Sequence, residues 1–308
     1  GEDGWWKDLI EEGKAIDTRK FTILSFNIPG NGYDGFVIDN YKDFVARDIA
    51  HIFLLGLEAL KIEKLFALTG GSLGGGIAWE MAVIKPDVTE HLIPVATDWK
   101  STDWLIANCQ IQEQFLVNSK NPVHDARMHA MLCYRTPESF KERFHRSTNE
   151  DLQIFNVESW LLHHGKKLQE RFQLSAYKLM NQLLKTIDVT KGREANFNVL
   201  DTIKAKIHIV GVDSDLFFTA DENRETQRQL ALTHPHVTYH EINSVHGHDA
   251  FLIEYKQLGR IVEKIFGAVD DQKKLKILKF GGKSLANGDG LNNVLSIIEN
   301  KVNKGDRL

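Results

Sequence analysis

The sequence lacks most features that mark secreted, membrane or nucleic-acid-binding proteins. Only two cysteines, Cys109 and Cys133, occur in 308 residues, too few for a disulfide framework, so a reducing cytoplasm is the expected compartment. No apolar run approaches the roughly 20 residues of a membrane span, and no signal peptide opens the chain. The formal net charge is only −4, so neither nucleic acid nor a membrane surface is expected as a partner.

Both ends of the sequence suggest a piece of a longer chain. The first residue is Gly1 rather than Met, and the last residues, "NKVNKGDRL", stop inside an amphipathic pattern without a capping signal. We therefore expect a fragment. With 308 residues, of which 42% are hydrophobic, the chain is nevertheless large enough to bury an extensive core.

Strand and helix patterns alternate in the first hundred residues and again near the end. Apolar β-rich runs are predicted strands, and the segments between them repeat apolar residues at helical spacing. The predicted strands are 20–30, 64–70, 90–97, 204–215 and 236–247. This alternation predicts a mostly parallel α/β sheet with crossover helices.

Between these two parts, residues 101–189 show long helical patterns and no convincing strand. We therefore predict a sheet core formed by residues 1–100 and 190–268, interrupted by a helical cap insertion at 101–189. Such an insertion is expected over the carboxyl edge of the sheet, where open α/β sheets bind their ligands. A charged linker, 269–276, precedes a distinct C-terminal piece, 277–308.

The stretch "ALTGGSLGGGIAWEMAVIKP" surrounds Ser72 with glycines, between a predicted strand and a predicted helix. Gly70 to Gly74 fit G-x-S-x-G, the strained turn that exposes a nucleophilic serine. A phosphate-binding loop is the alternative, but it needs a lysine and a hydroxyl at the helix start. Ile77, Ala78 and Trp79 follow the glycines here, which favours the nucleophile.

A serine hydroxyl needs a histidine base and a carboxylate that orients it. Asp215 follows one predicted strand and His248 follows the next, in the order that this fold class uses. Asp213 and His246 are the rival carboxylate and base. The pattern His246-x-His248-Asp249 also suits a metal, but no second His/Cys cluster has convincing spacing, so no metal is predicted.

Six segments together resemble the homoserine O-acetyltransferase family of the α/β-hydrolase superfamily, from about Gly4 to Phe266. They are "GWWKDLIEEGKAIDTRKFTILSFN", "GGSLGGGIAWEMA", "DARMHAMLCY", "NVESWLLHHGKKLQERF", "DSDLFF" and "HGHDAFL". The resemblance implies Ser72 as nucleophile, Asp215 rather than Asp213 as acid, and His248 as base. It also implies that the N–H of Leu73 is one oxyanion donor.

The same resemblance points to Arg127, Tyr134 and Asp249 as the site of the amino-acid substrate. A guanidinium suits the carboxylate of homoserine and a carboxylate suits its ammonium. Arg127 and Tyr134 lie about two helical turns apart, so they share a face; a surface arginine and a core tyrosine are the alternative reading. The implied partners are L-homoserine and acetyl-CoA as co-substrate, with no permanently bound cofactor and a homodimer formed through the cap.

The chain departs from the family's pattern in two places. The loop "NIPGNGYDGF" is shorter and differently composed, which affects the expected acyl-donor channel. An earlier segment, which carries the first strands and a second oxyanion donor, has no counterpart here. In the superfamily's strand order one strand would lie between "FTILSFN" and "LFALTG". We therefore expect abnormal pairing or a gap between these two, and an impaired enzyme.

The C-terminal "LKILKFGGKSLANGDGLNNVLSIIENKVN" reads as strand, glycine turn and helix, and resembles the opening of an aspartokinase. On that resemblance its nucleotide contacts would be Lys279, Gly281, Gly282 and Ser284, although Lys283 replaces the usual threonine. Both resemblances belong to the route from aspartate to methionine, which suggests a fusion enzyme. The alternatives to an acyltransferase are an α/β-hydrolase esterase and a catalytically inactive assembly module.

Overall fold

The computed structural model describes residues 4–193 and 196–267. The predicted linker and the aspartokinase-like piece, with Lys279, Gly281, Gly282 and Ser284, lie outside these residues. Within them the strands are β1 (Ile10–Glu11), β2 (Ile16–Asp17), β3 (Leu65–Gly71), β4 (Thr89–Val95), β5 (Thr148–Asn149), β6 (Ile154–Phe155), β7 (Lys206–Val212) and β8 (Val237–Ile242).

The helices follow the predicted periodicities closely. They are α1 (Ala46–Ala59), α2 (Leu73–Ile84), α3 (Asp103–Asn118), α4 (Pro122–Tyr134), α5 (Pro137–Phe144), α6 (Asn156–Gln169), α7 (Leu174–Lys185), α8 (Ala220–Leu230) and α9 (Tyr255–Phe266). Short 3₁₀ helices cover Tyr41–Asp43, Phe197–Thr202 and Gly247–Leu252. Within the described residues, no helix is both long and apolar enough to cross a membrane.

The central sheet has four parallel strands in the order β3-β4-β7-β8. Crossover helices pack on both faces, as expected for an α/β fold. One face is covered by α9, through residues such as Leu258 and Val262, and the other by α1 and α2. All four strands end at one edge, and the loops that follow β3, β7 and β8 meet there.

Between β4 and β7, the described residues form five α-helices, α3 to α7, and the 3₁₀ helix Phe197–Thr202. The prediction that 101–189 contains no strand is wrong in one detail, because β5 and β6 form a two-residue antiparallel ladder. Such short strands leave no periodicity to detect in the sequence. Helix α4 contacts the 3₁₀ helix Gly247–Leu252, which brings the helical segment onto the carboxyl edge of the sheet.

The strand predicted at 20–30 is absent: residues 21–28 form no ladder with the sheet, and β3 is its edge strand. A cavity of about 310 Å³ separates this segment from β3, which is the expected gap. Apolar packing holds the segment close to the sheet, since Phe26 stacks on Phe53 of α1 at 5.0 Å and Phe21 contacts Phe66 at 5.1 Å. β-Propensity needs a neighbouring strand to become a ladder.

Candidate active site

Ser72 stands on a tight turn between β3 and α2. Its φ of 52° and ψ of −124° place a non-glycine residue in a sparsely populated region, a strain that concentrates at functional sites. The turn is possible because a Cβ on Gly70 would overlap the backbone of Gly74, so strand and helix can approach only without a side chain there. The hydroxyl is thereby held above the sheet edge.

His248 connects the serine to a carboxylate. Its Nε2 lies 2.9 Å from Ser72 Oγ, and its Nδ1 lies 2.7 Å from Asp215 Oδ2. In the neutral tautomer that fits both contacts, Nδ1–H donates to Asp215 and the serine hydroxyl donates to Nε2. Three residues that lie far apart in sequence thus form one hydrogen-bonded chain.

Asp215 is held rigidly in this chain. It is only 3% exposed, and its Oδ1 accepts hydrogen bonds from the N–H groups of Phe217 (2.6 Å) and Phe218 (3.0 Å). Its other oxygen is thereby aimed at His248. Nothing in the sequence pattern indicated these backbone donors, because they arise from the turn that follows Asp215.

The environment of His248 sets its proton affinity. The ring is 4% exposed and lies among the rings of Tyr134, Phe217 and Phe251, with centroids 5.2 to 5.6 Å away. Burial by itself lowers the pKa of His248, but the Asp215 carboxylate and its hydrogen bond outweigh burial and raise the pKa above the ordinary 6.5. A base with a raised pKa accepts the serine proton more readily.

The rival residues have other contacts. Asp213 accepts a hydrogen bond from the Ser244 N–H at 2.9 Å, which joins two loops. His246 points Nδ1 at the Arg135 guanidinium, 3.3 Å away. Within residues 4–193 and 196–267, no group of three or more His, Cys, Asp or Glu side chains is arranged to hold a metal ion.

Leu73 is the first residue of α2. Its N–H therefore has no carbonyl one turn earlier in the helix to bond. This N–H belongs to the residue directly after Ser72, which is the position where this fold class places an oxyanion donor. The helix N-terminus adds a partial positive charge at the same place.

Arg127 and Tyr134 come together on α4, as their spacing predicts. The Arg127 guanidinium lies 5.6 Å from the centre of the Tyr134 ring, and that ring lies 5.6 Å from His248. Burial raises the pKa of Tyr134 to about 12, so the phenol stays protonated. Among the described residues Arg127 forms no ion pair, so its positive charge is not balanced by a carboxylate within salt-bridge distance.

Asp249 has a partner that the sequence did not indicate. Arg135 Nε donates to Asp249 Oδ2 at 2.9 Å, and both side chains are largely buried. Arg135 also faces His246, and Thr136 Oγ1 donates to the Val245 carbonyl at 2.5 Å. The two residues that follow α4 therefore hold the loop that carries His248 through these hydrogen bonds. In the sequence, only the position of Arg135 directly after Tyr134 connects it with the expected substrate site. That position does not indicate which carboxylate Arg135 pairs with.

A four-stranded parallel sheet with a serine on the turn after one strand, and with its histidine and carboxylate after later strands, defines an α/β-hydrolase-class protein. Consistent with this, residues 2–113 match the family model described as "alpha/beta hydrolase fold". Solved structures agree on the fold. Esterase E22 superposes with a TM-score of 0.73 at 21% identity, over 85% of this chain and 82% of that one. The homoserine O-acetyltransferase from Bacillus anthracis gives 0.71 at 17%, over 86% and 81%.

Sequence relatives define the family more narrowly. The homoserine O-acetyltransferase of Chloroherpeton thalassium is 34% identical over 286 residues, covering 84% of this chain and 74% of the relative. That of Cyclobacterium marinum is 33% identical over 285 residues, covering 85% and 80%. The chain belongs to the homoserine O-acetyltransferase family. It is an enzyme of this type, which confirms the resemblance for the α/β-hydrolase part.

Proposed function

We propose that the enzyme transfers an acetyl group from acetyl-CoA to the hydroxyl of L-homoserine through an acetylated Ser72. The hydrogen-bonded chain from Ser72 through His248 to Asp215 carries this proposal. The names of the sequence relatives support the choice of homoserine and an acyl-CoA. The reaction belongs to methionine biosynthesis, and a cytoplasmic enzyme fits a substrate made there.

In the first half-reaction Ser72 Oγ attacks the thioester carbonyl while His248 Nε2 takes its proton. The Leu73 N–H donates to the oxyanion that forms, and the charge of the resulting imidazolium is balanced by Asp215. The C–S bond then breaks, and His248 returns the proton to the sulfur of departing CoA. The product is acetyl-Ser72.

In the second half-reaction the homoserine hydroxyl gives its proton to the same Nε2 and attacks the acetyl carbonyl. Ser72 leaves and recovers the proton, which releases O-acetylhomoserine. We assign the Arg127 guanidinium to the substrate carboxylate, with Tyr134 beside it, and Asp249 to the ammonium. These contacts would hold the acceptor in place, which raises its effective concentration above that of competing water.

Hydrolysis of the acetyl-enzyme is the competing outcome, because esterases such as E22 share this fold. The test supplies acetyl-CoA with and without homoserine and identifies the product by mass spectrometry. O-Acetylhomoserine as the main product supports the proposal. Free acetate at the same rate with and without homoserine contradicts it in favour of an esterase, and parallel reactions with succinyl-CoA and with serine define the donor and the acceptor.

We propose in addition that residues 101–189 act as the cap over this site, and that copies of the chain pair through it as a homodimer. The hydrogen bonds from Arg135 and Thr136, directly after α4, to the loop that carries His248 support the first part. Exposed apolar side chains of α3 and α4, Ile111 and Leu132, support the second. Sedimentation of the wild type beside Leu132→Glu tests the dimer: the variant should sediment as a monomer.

A further inference from the structure

A second concave surface lies in the helical segment, away from Ser72. It has a volume of about 370 Å³ and runs along α5 to the β5–β6 ladder. We call it the α5 groove; its lining consists of Pro137, Phe140, Lys141, Phe144, His145, Arg146, Ser147, Phe155 and Val157. The mechanism above uses none of these residues.

The groove is cationic although the whole chain is acidic. Lys141, His145 and Arg146 line it, and no Asp or Glu does. The two glutamates of α5, Glu138 and Glu142, are not among the lining residues. Lys141, His145 and Arg146 are exposed, and none of them forms an ion pair with another described residue. Unpaired cations around a concavity indicate an anionic ligand.

Aromatic rings form the other part of the lining. Phe140 and Phe144 pack against Trp160 of α6 with centroids 5.5 and 5.7 Å apart. Phe155 remains 41% exposed, and the Arg146 guanidinium lies 5.5 Å from its ring centre. Flat apolar faces next to guanidinium groups are the surfaces on which nucleobases stack.

The backbone at the end of α5 adopts a strained conformation next to the contact between Arg146 and Phe155. His145 and Arg146 are consecutive non-glycine residues with φ of 48° and 56°. Such residues persist where the surrounding structure enforces the conformation, often at ligand sites. Here the turn directs Arg146 back over Phe155.

The groove connects to the candidate active site. α5 begins two residues after Arg135, whose side chain pairs with Asp249. The Arg135–Asp249 pair therefore links the start of the groove to the segment that carries His248.

We propose that the α5 groove binds the 3′-phosphoadenosine diphosphate end of the acyl-CoA donor, with phosphates on Lys141 and Arg146 and adenine against the phenylalanines. This inference rests on the proposed function, because it assigns a site to that donor. The groove begins at Pro137, two residues after Arg135, whose side chain pairs with Asp249 next to His248. One end of the groove therefore adjoins the segment that carries His248, and the pantetheine arm of the donor would extend from this end.

The test compares two acetyl donors: acetyl-CoA and S-acetyl-N-acetylcysteamine, a thioester without a nucleotide. The double variant Lys141→Ala/Arg146→Ala should raise KM for acetyl-CoA by about 10- to 100-fold, since it removes two charge-assisted contacts. The rate with the short thioester should stay within twofold, which also shows that the variant folds. The matched control is Lys120→Ala/Arg171→Ala, two exposed cations of the helical segment outside the groove.

Calorimetric binding of adenosine 3′,5′-bisphosphate provides a readout that needs no turnover. The wild type should bind it, the double variant should lose this binding, and the nucleotide should compete with acetyl-CoA but not with the short thioester. An unchanged KM for acetyl-CoA, equal effects on both donors, or nucleotide binding that survives the double variant would overturn the inference. If neither donor acetylates Ser72, the proposed function fails, while the binding experiment still decides whether the groove takes a nucleotide.

Discussion

The carboxyl end of β3 and its outer side differ: the first carries a fully hydrogen-bonded set of side chains, and the second lacks a pairing strand among the described residues. At its carboxyl end, Ser72 joins His248 and Asp215 through contacts of 2.9 and 2.7 Å. Along its outer side, β3 pairs with no strand among residues 4–193 and 196–267, and a cavity of about 310 Å³ separates it from residues 22–28. The relay needs only the loops after β3, β7 and β8, so it assembles without the outer edge. The second oxyanion donor is expected from the segment beyond that edge, so its contribution to the reaction depends on what occupies the gap.

The largest expected effect on kcat comes from comparing a serine at the carboxyl end of β3, Ser72, with a serine that lines the cavity, Ser25. Ser72→Ala should lower kcat for acetyl transfer by at least about 10⁴-fold, because it removes the hydroxyl that is hydrogen-bonded to His248. Ser25→Ala, in the segment that lines the cavity, should leave kcat within threefold. Steady-state kinetics with acetyl-CoA and homoserine measures both. Comparable losses in the two variants would mean that the gap region, and not the relay, limits the reaction.

The next effect concerns the carboxylate. Asp215→Asn should lower kcat by about 10³–10⁴-fold, since it removes the charge that stabilises the imidazolium. In the wild type, kcat/KM should fall as the pH drops through the raised pKa of His248, with a midpoint above 6.5, because only the neutral ring accepts the serine proton. In Asp215→Asn that midpoint should move to lower pH. Full pH profiles of both enzymes measure this.

Asp213→Asn is the matched control for that experiment. Its carboxylate joins two loops through the Ser244 N–H and does not contact His248, so its pH profile should coincide with that of the wild type. A shifted midpoint in Asp213→Asn, with none in Asp215→Asn, would exchange the roles of the two carboxylates.

A smaller effect separates acceptor binding from acyl-enzyme formation. Arg127→Leu should raise KM for homoserine by about 10- to 100-fold, because it removes the cation that we assign to the substrate carboxylate. The rate of Ser72 acetylation by acetyl-CoA should change little. Arg228→Leu, on the exposed side of α8, is the control. Rapid-quench measurement of the first half-reaction beside steady-state kinetics gives both numbers, and an equal loss in both halves would remove Arg127 from the acceptor site.

Much of this site is predictable from sequence because it depends on local rules. Ser72 lies in a G-x-S-x-G turn, and Asp215 and His248 each follow an apolar strand, so their convergence follows from parallel topology. The pairing of Arg135 with Asp249 was not predictable, since one arginine carries no signal of its long-range partner. The strand expected at 20–30 failed for a similar reason: β-propensity in Phe21–Phe26 is local, but a ladder needs a neighbour.

The smallest expected effect is on stability. Ala67 lines the cavity beside β3, so Ala67→Val should fill space and raise the free energy of unfolding by about 0.5–1 kcal/mol. Ala82→Leu, at a closely packed position that is 1% exposed, should lower it by about 1–3 kcal/mol through overpacking. Denaturant unfolding of the two variants compares a cavity with a packed core. Destabilisation by Ala67→Val would show that this space is filled in solution.

The most direct test of the central claim is intact-protein and peptide mass spectrometry after mixing the enzyme with acetyl-CoA and no acceptor. The relay predicts a mass increase of one acetyl group, located on Ser72, that disappears when homoserine is added and does not form in Ser72→Ala. An acetyl group on another residue, or undiminished product formation by Ser72→Ala, would contradict it.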